Sequence, residues 1–206
     1  TGVLTVESGA LIINNIGQIN ANVIRVNKGG VLDIQNTGTT RSGTRILDTT
    51  GITLNSADGT FNGETIVRGL SMRTDQDGTL DETVGLVTLN TGASYVGMQA
   101  TTTNDDSDII VTNLVRLNSS TLNVRGTNLG GALGQENEFR IGDATNQTAF
   151  IANVANLVGG GGLAASQNIS IVPWAIGEST AGALAATQMG NSLVTYVSGA
   201  GIRPLD

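Results

Sequence analysis

The sequence contains neither cysteine nor histidine, and these two absences exclude several kinds of chemistry. Without cysteine there are no disulfides and no thiolate metal sites. Without histidine there is no Ser-His-Asp or Cys-His arrangement for nucleophilic catalysis, and zinc sites of the usual ligand types are excluded as well. We therefore expect no enzyme of these classes.

Basic residues are also scarce. Lys28 is the single lysine among ten basic residues, and the formal net charge is −7. A surface of this charge repels phosphate backbones, so we expect no nucleic-acid partner. No apolar run approaches the length of a membrane-spanning helix, so we expect no direct membrane span.

Small and aliphatic residues dominate what is present. Hydrophobic residues make up 39% of the 206 residues, although aromatic residues are only 3%, and 29 residues are glycine. This aliphatic content is too high for a disordered linker. β-Branched residues interrupted by Gly, Asn and Thr favour short strands and frequent turns. The composition predicts an all-β protein with a thin aliphatic core.

A short pattern recurs along the chain. Residues 3–11 are repeated twenty positions later as 23–31 and again, after a shift of 83, as 86–94, while 113–118 match 22–27. Each copy has a strand with two apolar residues, a turn carrying Asn, Ser or Gly, and a second short strand. One copy cannot bury its apolar face alone, so stacking of copies would supply the core. Weaker members are 51–55 and 138–142.

Alternation within the copies places apolar side chains on one face. It assigns Leu4 and Val6 to the inner face, as well as Val115 and Leu117. These spacings predict a parallel β-helix over residues 1–142, and the change in composition afterwards predicts a β-rich module over 143–206, packed on the β-helix or continuing it. The alternative is an antiparallel sandwich, whose tight Asn-Gly or Asp-Gly turns are not found between well-matched strands.

The sequence resembles the autotransporter-associated β-strand repeat proteins of Gram-negative bacteria, which include large repetitive surface proteins of planctomycetes. The resemblance is carried, in order, by ETVGLVTLNTGA at 82–93, TLNVRGTNLG at 121–130, IVPWA at 171–175, VTY at 194–196 and GIRPL at 201–205. It implies a right-handed parallel β-helix, secretion or surface display, an adhesive or scaffolding use, and no catalytic residues.

Two acidic clusters are candidate sites. Asp75, Asp77 and Asp81 precede or follow a glycine turn, and alternating carboxylates of this kind can converge on calcium, although the spacing falls short of an EF-hand. Calcium is the one cofactor that the sequence suggests, and a loop with Asx-type turns is the alternative interpretation. The densest cluster, Asp105 to Asp108, could provide the carboxylate pair of a glycosidase, but its polar surroundings favour a solvated loop.

Other candidate contacts involve arginines and aromatic residues. The pattern places Arg25, Arg68, Arg116 and Arg140 on the outer face, where they could bind acidic glycans but are expected to stack on Asp or Asn of neighbouring coils. Trp174 could stack on a sugar, although packing within its own module is the favoured interpretation.

The predicted function is that of a non-enzymatic structural or adhesive segment of a secreted or cell-surface bacterial β-solenoid. Uncapped ends would stack on further copies or on adjacent coils of a longer chain, with end-to-end assembly into a fibre, and surface glycans are possible ligands. The alternative is a β-helix carbohydrate-active enzyme or a tailspike-like polysaccharide depolymerase.

Overall fold

The computed structural model describes residues 2–36, 44–60, 67–74, 78–100, 105–131, 137–161, 168–180 and 192–205. Six strands form one sheet in which every neighbouring pair is parallel. In order across the sheet they are β1 (Val3–Val6), β3 (Val23–Val26), β5 (Gly51–Asn55), β9 (Gly78–Thr91), β11 (Asp105–Arg116) and β13 (Phe139–Ile141).

A second sheet has eight strands, of which the first six are parallel. From one edge it runs through β2 (Gly9–Asn14), β4 (Gly30–Asn36), β8 (Leu70–Thr74), β10 (Ala93–Ala100), β12 (Thr121–Thr127), β16 (Ala175–Thr180), β17 (Ser192–Val197) and β18 (Gly201–Pro204). The last two strands join it antiparallel. The described part of the chain is thus all-β, as predicted.

The remaining elements are short. They are the antiparallel pair β6 (Gly59–Thr60) and β7 (Val67–Arg68), the antiparallel pair β14 (Val158–Gly159) and β15 (Ser170–Ile171), and the helix α1 (Ala144–Ala152). Asp143 caps the helix by accepting the N–H of Asn146 at 2.8 Å. The predicted second module, residues 143–206, therefore contributes α1 and the strands β14 to β18.

The chain passes from one sheet to the other and back. We call each such pair of strands a layer: β1 with β2, β3 with β4, β5 with β8, β9 with β10, and β11 with β12. Because neighbouring layers pair through the backbone, apolar side chains at equivalent positions stack on one another. One buried stack in the six-stranded sheet consists of Ile24, Ile52, Val87 and Leu114, and one in the eight-stranded sheet consists of Leu32, Leu70, Val96 and Val124.

The predicted twenty-residue repeat is confirmed for the first strands of the first two layers, where Val3 lies opposite Val23 and so on through β1. In the second strands the spacing is one residue longer, because Ala10 lies opposite Val31. The reason is the turn between β3 and β4, which contains one residue more than the turn between β1 and β2.

The predicted inner face of 113–118 is wrong by one residue. Leu114, not Val115, lies opposite the buried Val87 and is only 4% exposed, whereas Leu117 is 45% exposed. Asn118 nevertheless hydrogen-bonds to Asn90, as the repeat implies. The repeat in the sequence aligns Asn118 with Asn90. In the structure β11 has one more residue before this asparagine than β9 has before Asn90, so the inward apolar positions of β11 lie one residue earlier than the alignment predicts.

A row of polar side chains connects the first five layers at the turn after each first strand. Asn118 donates from Nδ2 to Oδ1 of Asn90 at 3.2 Å, Asn90 donates to Asn55 at 2.8 Å, and Asn55 donates to Asn27 at 2.7 Å. Asn27 donates to Oε2 of Glu7 at 2.6 Å. An ionised carboxylate can only accept hydrogen bonds. Glu7 therefore requires every amide of the row to donate toward the first layer.

Glu82 is a carboxylate within the core. Its side chain is fully buried and accepts the N–H of Ile46 at 2.7 Å and the N–H of Arg45 at 3.0 and 3.1 Å. The buried guanidinium of Arg45 lies 3.9 Å away and also donates to the carbonyl of Asn15. Burial raises the pKa of Glu82 to about 7, although both N–H groups and the charge of Arg45 act in the opposite direction. Glu82 thus attaches Arg45 and Ile46 to β9.

The amide row is expected to contribute measurably to stability. Asn55→Ala removes two of its hydrogen bonds and should lower the free energy of unfolding in urea by about 1–2 kcal/mol. Glu7→Ala removes only the exposed hydrogen bond at the end of the row and should cost clearly less. Equal losses for the two variants would show that the row does not stabilise the stack.

The buried carboxyl of Glu82 is expected to make stability depend on pH. Its pKa is about 7 in the fold against an ordinary 4.5, so the folded state binds this proton more tightly than the unfolded chain. The stabilisation is complete below about pH 4.5 and is lost progressively as the pH rises to about 7, by about 3 kcal/mol in total. The difference in unfolding free energy between the wild type and Glu82→Gln, measured from about pH 5 to about pH 8, isolates this effect. If the unfolding free energies of the wild type and Glu82→Gln changed equally with pH, the raised pKa of Glu82 would be contradicted.

Candidate functional site

The predicted calcium ligands are not assembled in the described part of the chain. Asp75 and Asp77 lie outside the described residues, while Asp81 is exposed on β9. The described ranges contain no group of three or more Asp, Glu, His or Cys residues that could hold a metal ion. Calcium binding therefore stays a prediction.

The second acidic cluster lies in β11. The side chains of Asp105 and Asp106 are outside the described part of the structure. Asp108 is 6% exposed and accepts the backbone N–H of Glu138 at 2.8 Å, which ties β11 to the residue before β13. This carboxylate has a structural partner, and it does not lie in the solvated loop that the sequence predicted.

The four arginines predicted on the outer face have different environments. Arg25 is exposed as expected, whereas Arg68 is only 2% exposed. Arg116 is exposed and donates from Nε to the carbonyl of Ser120 at 2.6 Å. Arg140 is half-buried, and its Nε lies 2.5 Å from Oε2 of Glu138. Among the described residues, the predicted contacts with Asp or Asn of neighbouring layers are not found for Arg116 or Arg140.

The most prominent candidate site is the edge formed by the first layer. Within the described ranges, β1 pairs only with β3 and β2 pairs only with β4, so both strands are sheet edges at the same end of the stack. Gly9 donates its N–H to Gly29 and Asn15 donates to Gln35, so the amides of the intervening odd residues face β4. The N–H and C=O of Ile12 consequently face away from the sheet.

The apolar core is open at this edge. In the second layer the inward Ile24 and Leu32 are completely buried. The equivalent Leu4 and Leu11 of the first layer are only half-buried, although the inward Val6 and Ile13 of this layer are buried. Ile12 lies opposite Asp33 on the outer face of the sheet and is 39% exposed. The first layer therefore combines unpaired backbone groups with exposed apolar surface, which is the combination that accepts an additional strand.

Glu7 marks the same end of the molecule. It is exposed and accepts from Asn27, and when ionised it has no hydrogen to donate to a layer added beyond β1. A strand added here would therefore meet an acceptor at the position of the amide row. It would have to present a donor there, such as an amide or an ammonium group.

The opposite end of the stack is covered. Ile141 of the edge strand β13 donates its N–H to the hydroxyl of Tyr196 at 2.8 Å and accepts from Nε2 of Gln147 at 3.0 Å. The outward N–H and C=O of Ile141, which a further strand would use, are thus occupied by side chains of β17 and α1. β18 is the outermost strand of the second sheet, but it is largely buried and ends at Pro204, which has no N–H.

Three aromatic residues consolidate this cover. Phe150 of α1 lies 5.0 Å from Tyr196 and 6.2 Å from Trp174 between ring centroids, the latter in an edge-to-face arrangement. All three are at most 5% exposed, and the indole N–H of Trp174 donates to Ala155 at 3.2 Å. Trp174 is packed within its own module, as the favoured interpretation of the sequence predicted.

Sequence reasoning missed the residues whose side chains hydrogen-bond to backbone groups that no strand pairs with. Glu82, Gln147 and Tyr196 each satisfy a backbone group that no strand of the described part reaches. Only Glu82 carried a recognisable signal, because it lies between Leu80 and Val84 at a position where alternation requires an apolar residue. Gln147 and Tyr196 could not be linked, since they come together only when β17 folds over β13.

Comparisons with protein-family models, with curated proteins and with solved structures found no match to this chain. Within the described ranges, no helix has the length and apolar character needed to cross a membrane. The geometry of the two ends is therefore the basis on which a function is proposed.

The cover is expected to depend on the Tyr196 hydroxyl. Tyr196→Phe keeps the ring packing but leaves the buried N–H of Ile141 without a partner, which should lower the free energy of unfolding by about 1–3 kcal/mol. Ser198→Ala removes an exposed hydroxyl that donates to Gln147 and should change stability much less. Urea unfolding of the two variants checks this, and a neutral Tyr196→Phe would contradict it.

Proposed function

We propose that the chain is a non-enzymatic structural and adhesive segment of a secreted or surface-displayed bacterial protein, and that its first layer binds a further β-layer. The observation that carries the proposal is the difference between the two ends. β1 and β2 expose unpaired backbone and apolar side chains, whereas β13 and β18 are covered. Association is therefore proposed at the first layer alone, which is narrower than the two-ended fibre predicted from the sequence.

We infer that the layers form a parallel β-solenoid. Two observations support this inference. Consecutive long strands alternate between the two sheets, and each of them pairs in parallel with the equivalent strand of the next layer. The aliphatic stacks and the amide row repeat with the same layers. A right-handed course, display at the cell surface and use in adhesion follow from the resemblance to autotransporter-associated repeat proteins.

The proposed occupant of the open edge is a second copy of the chain. When no other layer precedes β1, the first layers of two molecules can remove each other's apolar surface from water and pair their free backbone groups. A longer parent chain would supply the same kind of layer from its own preceding residues. A parallel layer from such a longer chain would need a hydrogen-bond donor opposite Glu7 to continue the amide row.

Sedimentation velocity over a range of concentrations tests this proposal. The wild type should self-associate, and Ile12→Lys should shift it toward the monomer, because a charged side chain on an edge strand disfavours pairing. Ile151→Lys is the matched control, since Ile151 is 37% exposed at the covered end and Ile12 is 39% exposed at the open one.

The expected result is a change in association of at least about tenfold for Ile12→Lys and none for Ile151→Lys. A wild type that remains monomeric at every concentration would contradict pairing at the first layer. So would an equal effect of the two substitutions, because it would locate the contact elsewhere.

A further inference from the structure

The outer face of the eight-stranded sheet contains a cavity of about 270 Å³. It lies over one row of side chains from four neighbouring strands, namely Tyr95 of β10, Asn123 of β12, Ile176 of β16 and Leu193 of β17, which are adjacent in register. Trp174, two residues before Ile176, also lines the cavity. The cavity is far from the first layer and is not part of the proposed contact between copies.

Asn123 is the unusual member of this row. Its side chain is 5% exposed, and neither Oδ1 nor Nδ2 has a hydrogen-bond partner among the described residues. Exchanging the two atoms of the amide would not help, because both are unsatisfied. Burying a primary amide in this state is costly, and buried polar groups in native proteins are nearly always paired. A ligand that hydrogen-bonds to both atoms of the amide would account for this arrangement of Asn123.

The amide restricts what this group can be. A primary amide presents one acceptor next to one donor, so its best partner offers a donor and an acceptor side by side. Two neighbouring hydroxyls of a sugar ring meet this requirement, since one donates to Oδ1 while the other accepts from Nδ2. Both sides of such a contact are uncharged.

The walls of the cavity restrict it further. Ile176 is 39% and Leu193 is 52% exposed, and Tyr95 is half-buried, so an apolar and aromatic rim faces solvent beside the amide. Such surfaces suit the C–H faces of a sugar, while a few polar groups determine orientation. None of the described residues that line the cavity is charged, and the chain as a whole carries −7. An anionic ligand would have no counter-charge from this lining.

We propose that this cavity binds a neutral sugar ring, held by the Asn123 amide and flanked by Tyr95. The volume suits a single ring at the end of a glycan and not an extended chain. The biological role of this sugar binding rests on the proposed adhesive function, for which it names a class of ligand. Its residues are separate from those of the open edge, so the two can fail independently.

An NMR titration of the labelled chain with glucose, galactose, mannose and N-acetylglucosamine tests the site, with glucuronate as the anionic comparison. At least one neutral sugar should shift the signals of Tyr95 and Asn123. Asn123→Leu should weaken that binding at least about tenfold, because both hydrogen bonds to the ligand are lost. Asn113→Ala, on the other sheet, should bind as the wild type does.

Asn123→Leu also separates a binding role from a structural one. Removing an unsatisfied buried amide and filling its space with an apolar side chain should raise Tm by about 2–4 °C in the absence of sugar. A structural asparagine would instead lower Tm when replaced. Greater stability together with lost binding is the signature of a residue retained for its ligand.

Three results would overturn the assignment. The first is a spectrum that no neutral sugar changes, which would mean that the amide holds only water. The second is binding confined to glucuronate, and the third is an Asn123→Leu variant that still binds or is less stable. Sedimentation distinguishes this failure from that of the proposed function, because Asn123→Leu should keep the self-association that Ile12→Lys loses, and Ile12→Lys should keep the sugar binding.

Discussion

Parallel pairing between one layer and the next is the constraint on which this molecule depends. Each strand of the five layers finds its partner a full layer away along the chain, as when Val23 pairs with Gly51 and Ile52 with Val87. No layer can therefore complete its backbone hydrogen bonds or bury its aliphatic side chains alone. The amide row follows from the same register, since asparagines reach one another only when successive turns lie directly above each other.

Where this pairing lapses, side chains take the place of the missing strand. The carboxylate of Glu82 accepts the backbone N–H groups of Arg45 and Ile46, two residues that lie outside the described strands. Tyr196 and Gln147 do the same for the two outward groups of Ile141 at the covered end. These replacements satisfy groups that would otherwise be costly to bury.

The function is proposed at two places that lack such a replacement among the described residues. The edge of the first layer has free backbone groups beside Ile12, and the outer face of the second sheet has a free amide at Asn123. The first matches another β-layer and the second matches a small neutral ligand. A segment that joins other layers at one end and binds sugar on its side would serve adhesion.

Short-range patterns in the sequence determined the all-β class, the repeated strands and the alignment of Asn27, Asn90 and Asn118, because these depend on spacing within one repeat. Alternation also identified the aliphatic stacks, except where an additional residue moved Leu114 inward. Only the tertiary structure decided which end is open, because the contact of Tyr196 with Ile141 joins residues 55 positions apart. It likewise decided that Asn123 is buried without a partner in the described part of the chain, since that depends on which side chains of four separate strands surround it.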